Sequence, residues 1–256
     1  MQLTVTSWNM QGAGYDKLTY MCNVYADFKD TNVFLLQETG NPNNPNGIQQ
    51  GMQYILFEKQ FTCVLVCEDL TAKSLRCTTA ILIDDFLGKK FKQCHMIGAA
   101  GYRPAIFAIF EDIVIGTIHA PSIPGGEVSY IKGIYSRLNY ECKCHNLPWA
   151  FMGDMNIDLA KDFPFEMCDG AKPRADSLNE IYIEKTSSSD VRCLLAYPKG
   201  NTQGSGGERT RKLDFAFFSR DFGYYKWYGM FNKKVLETIT TQKYLSDHNM
   251  IGFTIL

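Results

Sequence analysis

In Trp149-Ala150-Phe151-Met152-Gly153-Asp154-Met155-Asn156 an apolar run ends in a carboxylate and an amide two residues apart. If Trp149 to Met152 is a buried strand, Asp154 and Asn156 are the first polar side chains past its end, where binding groups usually sit. The same pattern recurs along the chain. Asn9 follows Leu3–Trp8, Glu38 follows Val33–Gln37, and His119 closes Ile113–Ile118. Asp214 stands near the start of Leu213–Phe218, while Asp247 and His248 lead into Met250–Leu256. Taken singly, each has a structural explanation: a capped turn at Asp154, a solvated strand end at Glu38, a satisfied core histidine at His119. Their recurrence at strand ends is what joins Asn9, Glu38, Arg103, His119, Asp154, Asn156, Asp214, Asp247 and His248 into one candidate constellation.

The chemistry follows from the residue types. Like charges ~4 Å apart repel by about 4 kcal/mol at an effective dielectric of 20, so carboxylates converging in one cleft call for a divalent cation. Oxygen ligands such as Glu38, with Asn9 or Asp247 assisting, suit Mg²⁺, Mn²⁺ or Ca²⁺ better than zinc. Two histidines with ordinary pKa values of ~6.5 supply an acid and a base near neutrality once carboxylates orient them. A cation, two imidazoles, amide donors and an arginine together meet the needs of phosphoester hydrolysis.

These side chains need elements to hold them. Leu3–Asn9 alternates as a half-buried strand, and Val33–Glu38 reads as a strand buried on both faces. Phe61–Cys67 and Thr78–Ile83 are strand-like, with Arg76 just before the second. Ala105–Phe110 and Ile113–His119 form a hairpin across Glu111-Asp112, which places Arg103 and His119 at one end. Helical spacing marks Asp16–Lys29 and Glu127–Cys144, the latter burying Tyr130, Ile134 and Leu138. Ala175–Tyr182 is a third helical candidate. Ten or more strands with few helices imply an α+β or α/β chain, with two packed sheets and helices outside.

At 256 residues, 45% of them hydrophobic, the chain can bury a sizeable core. No linker divides it, and Gly40–Gly47 and Gly200–Gly207 read as loops within one domain spanning residues 1–256. A net charge of -1 and a pI near 6.4 create no global field drawing it to nucleic acid, so phosphate binding has to be local. No apolar run reaches the ~20 residues of a membrane helix, and no signal peptide is visible at the N-terminus. The nine cysteines are odd in number and dispersed. Cys142-Lys143-Cys144-His145 has the wrong spacing for structural zinc. Cys63 and Cys67, four apart on a strand, are expected on one face, where either could reach a cysteine on another strand.

The residues carry a resemblance. Trp8-Asn9-Met10-Gln11-Gly12, Gln37-Glu38, Arg103-Pro104, Ile118-His119-Ala120, Gly153-Asp154-Met155-Asn156, Leu213-Asp214-Phe215-Ala216 and Ser246-Asp247-His248-Asn249 occur in the order of the motifs of the endonuclease/exonuclease/phosphatase superfamily. Within it the chain looks most like the nuclease subunits of cytolethal distending toxins. Thr202-Gln203-Gly204-Ser205-Gly206-Gly207, leading into Leu213-Asp214, adds to the likeness.

The resemblance implies an α+β four-layer α/β/β/α sandwich of two mainly antiparallel sheets with outer helices. It also implies Mg²⁺-dependent cleavage of DNA, with phosphoinositide phosphatase or sphingomyelinase-like activity as the alternative and a non-catalytic binding module as a third possibility. Carried over by motif, Glu38 is the principal metal ligand with Asn9 beside it. His248 is the general base oriented by Asp214, with Asp247 ordering the site. His119 protonates the leaving group, and Asp154 and Asn156 hold phosphate and water. Arg103, Arg76 and Thr202 are expected to contact phosphate, together with Arg209 and Arg211 from an apparent insertion, Glu208–Lys212, that adds positive charge beside the site. The acid orienting His119 is not apparent, with Glu68 and Asp69 as candidates. Toxin delivery subunits, secretion and entry into a target cell, even its nucleus, are implied only by the resemblance.

Overall fold

The computed structural model describes residues 3–12, 17, 31–40, 61–67, 79–97, 105–122, 130, 134, 137, 140, 147–158, 184–185, 193–196, 202–204, 211, 213–219, 225–228, 246–248 and 250–255. Apolar and β-branched runs make the strands β1 (Leu3–Asn9), β2 (Thr31–Gln37), β3 (Phe61–Cys67), β4 (Thr79–Asp84), β5 (Phe91–Ile97), β6 (Ala105–Phe110) and β7 (Val114–His119). They continue with β8 (Trp149–Asp154), β9 (Glu184–Lys185), β10 (Cys193–Ala196), β11 (Asp214–Ser219), β12 (Tyr225–Tyr228) and β13 (Ile251–Ile255). One helical turn, Asp85–Gly88, separates β4 from β5, and the Asp84 carboxylate caps it by accepting from Leu87 N at 2.8 Å.

Two sheets result. One is ordered β12-β13-β1-β2-β4-β3 and the other β5-β6-β7-β8-β11-β10-β9. Each is antiparallel except for one parallel pair at its centre, β1 with β2 and β7 with β8. The sheets pack through alternate residues: Val5, Val33, Leu35, Ile81 and Ile83 from one meet Ile106, Ala108, Ile115, Met152 and Phe218 from the other. The opposite faces are buried as well, since Phe34, Leu36 and Leu82 of the first sheet and Phe107, Phe151, Phe215 and Phe217 of the second are sealed from solvent. Sheets buried on both sides require outer covering layers. Tyr130 and Ile134 are helical and buried, whereas Arg137 and Tyr140 of the same stretch are exposed, as the expected helix requires.

The expected hairpin across Glu111-Asp112 is present, with Ile106 registered against Thr117. Strands β5, β9, β10 and β12 were not expected from the sequence. One expectation is corrected. A bulge shifts the β3 register between Cys63 and Leu65, so Cys63 registers with Leu82 and Cys67 with Thr79, three residues apart on β4. The four-residue spacing therefore lacks the unbroken strand repeat on which the expectation of one shared face rests. The candidate helices at 16–29, apart from helical Lys17, and at 175–182 lie outside the described residues, as do Leu138, the cysteines of the candidate zinc stretch, Glu68 and Asp69.

Candidate active site

The two parallel pairs decide where the polar residues go. Both end at the same pole of the sandwich, and β11 and β13 run antiparallel to their neighbours, so the residues that open those strands meet the residues that close β1, β2, β7 and β8. Registration makes this concrete. Asp154 pairs with His119 on β7 and with Asp214 on β11, and Asn9 pairs with Gln37. Gly153 permits the close approach of β7 and β8, since a Cβ there would stand 2.1 Å from Ile118 O.

Asp154 is the hub. Its Oδ2 accepts from Asn9 Nδ2 at 3.0 Å and lies 3.5 Å from His119 Nε2 and 3.6 Å from His248 Nε2. Its Oδ1 accepts from Asn156 N at 2.9 Å, while Asn156 Nδ2 donates to Ala120 O at 2.7 Å, tying the end of β8 to the end of β7. Glu38 joins from the other sheet, with Oε1 3.6 Å from His119 Nε2 and 3.5 Å from Asn9 Nδ2. Asn9 therefore turns its amide nitrogen to the carboxylates, and its Oδ1 accepts from Gln11 N at 3.2 Å.

His248 is held from three sides. Its Nδ1 is 2.8 Å from Asp214 Oδ2, its N donates to Ser246 Oγ at 3.1 Å, and its carbonyl accepts from Trp8 Nε1 at 3.1 Å. Ser246 Oγ in turn donates to Asn9 O at 2.6 Å, so the Trp8-Asn9 motif seats the Ser246-Asp247-His248 motif. Thr202 lies beneath this site, not at its surface. It is fully buried, and its hydroxyl accepts from Leu213 N and Asp214 N at 3.1 Å each, so it positions Asp214 instead of contacting phosphate. Arg211 is exposed at the margin. Arg76, Arg103 and Arg209 lie outside the described residues.

Three glutamines, not assigned chemistry in the sequence, belong to the site. Gln37 is fully buried and donates to Thr117 Oγ1 at 2.8 Å and Ser7 Oγ at 3.1 Å, bolting β2 to β7 behind Glu38 and His119. Gln11 Oε1 accepts from Asp247 N at 3.2 Å. Gln203 Nε2 donates to Asp247 Oδ2 at 2.7 Å. The position of Gln37 offered a signal, since it continues the inward parity of Val33 and Leu35 and a polar residue there has to find buried partners. Among the described residues, the three non-glycine residues with left-handed backbone are Gln11, Glu38 and Asn156, all at this pole. Such conformations concentrate at functional sites.

Burial alone would push the His248 imidazole pKa down. The Asp214 and Asp154 carboxylates, the Asp214 hydrogen bond and Asp247 overcome this and raise it to about 9.

The residues fit a cation. Ligand atoms of Asp154, Asp214 and His248 all lie within 4.8 Å of one another. Asp247 Oδ1 is buried and has no hydrogen-bond partner among the described residues. The ion pairs made by Glu38, Asp154, Asp214 and Asp247 are with histidines, none with lysine or arginine among the described residues. A carboxylate-rich, buried donor set of this kind suits a hard divalent ion.

No family model matches the sequence, and no curated protein matches it. Solved structures do. The chain aligns with CdtB, the biologically active subunit of cytolethal distending toxin, at 16% identity and TM-score 0.57, covering 98% of this chain and 96% of that one. It shares this fold with an endonuclease/exonuclease/phosphatase family protein of Bacteroides thetaiotaomicron, at 15% identity and TM-score 0.57, covering 99% of this chain and 97% of that one. TDP2 of C. elegans matches at 16% identity and TM-score 0.62, covering 100% of this chain and 75% of that one. A mannosyl-6-phosphatase of Bacteroides thetaiotaomicron matches at 14% identity and TM-score 0.60, covering 99% and 100%. The two-sheet sandwich expected from the motifs is thus the one observed.

Proposed function

We propose that this chain is a metal-dependent phosphoesterase that hydrolyses phosphodiesters of DNA, using His248 as base and His119 as acid. The observation that carries the reading is the convergence of the two Nε2 atoms on Asp154 Oδ2, at 3.5 Å and 3.6 Å, one from the end of β7 and one from the segment that leads into β13. Two imidazoles facing one small volume can take a proton from water on one side and return one to a leaving oxygen on the other, with His248 free to act as base once a bound cation would offset the carboxylates that hold it protonated. Asp214 holds His248 in the tautomer that leaves Nε2 toward that volume. Asn156 fixes the Asp154 carboxylate, and Asn9 supplies a donor beside it. Asp154, Asp214 and Glu38 are the residues to hold a divalent cation, which when bound neutralises carboxylate and phosphate charge. Mg²⁺ is the expected ion, with Mn²⁺ and Ca²⁺ as alternatives.

The toxin-type reading rests on the motif order together with the structural likeness to CdtB. A second reading, a phosphatase acting on phosphoinositides or other phosphomonoesters, is favoured by the equally full overlap with a mannosyl-6-phosphatase. Plasmid nicking by wild type and His248→Ala, with Mg²⁺ and with EDTA, tests the first. Nicking that vanishes with EDTA and with the substitution supports it. Intact plasmid alongside phosphate release from a phosphoinositide would transfer the proposal to the second. An inactive protein on both substrates would leave a binding module.

A further inference from the structure

Gln203 uses both ends of its side-chain amide. Nε2 donates to Asp247 Oδ2 at 2.7 Å, and Oε1 accepts from Arg211 Nε at 2.7 Å. The backbone is held as firmly: Gln203 N donates to Arg211 O at 3.0 Å, Arg211 N donates to Gln203 O at 2.9 Å, and Gly204 N donates to Asp247 O at 3.0 Å. Gln203 also bridges to His248, so three distant segments of chain make one short ladder.

The polarity of this chain of bonds is dictated by its ends. A carboxylate only accepts and a guanidinium only donates, so the amide between them has one satisfactory orientation. With Oδ2 bound by Gln203, the Asp247 carboxylate is prevented from rotating. Its Oδ1, otherwise without a partner among the described residues, then stands 3.6 Å from His248 Nε2. The same Nε2 is 3.6 Å from Asp154 Oδ2. Two carboxylate oxygens thereby flank the ring nitrogen that faces the site.

We propose that Gln203 is a positioning residue for the Asp247–His248 pair, and that Arg211 acts through it by fixing the direction of the amide. The kinetic part of this inference rests on the phosphoesterase reading; the alignment part does not. Gln203→Glu is the informative variant, since it keeps an acceptor for Arg211 and replaces the donor to Asp247 with a repelling oxygen. Arg211→Gln, at an exposed position, disturbs the same amide from outside and serves if Gln203→Glu folds poorly. Two quantities are read: kcat and KM on a phosphodiester, and the ring nitrogen resonances of the four histidines at one fixed pH in EDTA. Expected for Gln203→Glu are a loss of about tenfold or more in kcat with KM within about twofold, and displaced His248 ring signals with His95 unmoved. Arg211→Gln should show the same pattern, smaller. Wild-type kcat with unmoved His248 signals would overturn the assignment, and so would a rise in KM at unchanged kcat. If the wild type hydrolyses no phosphate ester, the phosphoesterase reading fails, and the His248 signals alone decide for or against the role of Gln203.

Discussion

The Nδ1 of His248 lies 2.8 Å from Oδ2 of Asp214, a residue registered across β8 and β11 with Asp154, the carboxylate that His248 meets with its other ring nitrogen. One imidazole thus spans two carboxylates whose spacing is set by a strand pair.

Asp214→Asn should leave this arrangement in place and remove the charge that orients the ring. The expected loss in kcat is roughly 10²–10⁴, as for a base deprived of its proper tautomer. Far-UV circular dichroism should be unchanged, because the backbone of β11 is held independently through Thr202. Activity above a tenth of wild type would refute the orienting role.

The raised pKa of His248 makes a statement about stability. A group moved from about 6.5 in the unfolded chain to about 9 in the folded one stabilises the fold fully below pH 6.5, and that contribution disappears as pH rises through 9. In EDTA, denaturant unfolding should therefore show stability falling across this window, by about 3 kcal/mol at most. His248→Gln should flatten the slope. A slope identical in the variant would assign the loss to other groups.

Cation binding should be visible without turnover. Relief of repulsion among Asp154, Asp214 and Glu38 should raise Tm in Mg²⁺ over EDTA, by the equivalent of about 2.7 kcal/mol at a hundredfold excess over Kd. Asp154→Asn should lose most of this increment. An equal rise in the variant would place the ion elsewhere.

Glu38 has a left-handed backbone, with φ of 52°. Glu38→Ala and Glu38→Gly should both be inactive, but the glycine variant should be the more stable by about 1 kcal/mol, since only glycine adopts that conformation without strain. Equal melting temperatures would show that the loop relaxes once the carboxylate is gone.

What could be read in the sequence and what could not have separate physical causes. Val33–Leu36 and Ala105–Phe110 announce strands because burial on both faces demands continuous apolar runs, and Asn9, Glu38, His119 and Asp154 stand out because they interrupt such runs. Strand β5 did not announce itself: Lys92, Gln93 and His95 dilute its pattern, as an edge strand with one neighbour permits. The bulge near Cys63 adds a residue without changing composition. Gln203 and Gln11 matter through what their amides touch across more than forty and more than two hundred residues of chain, which spacing along the sequence does not encode. The left-handed turn at Glu38 carries no glycine to mark it.

The bolt made by Gln37 has a further consequence. Asn9 and Glu38 ride on one sheet and His119 and Asp154 on the other, so their distances measure the slip between the sheets, and a slide of a fraction of an ångström alters every one of them together. Turnover in this molecule doubles as a shear gauge: core substitutions far from the pole that leave melting temperature intact will still be recorded in the rate.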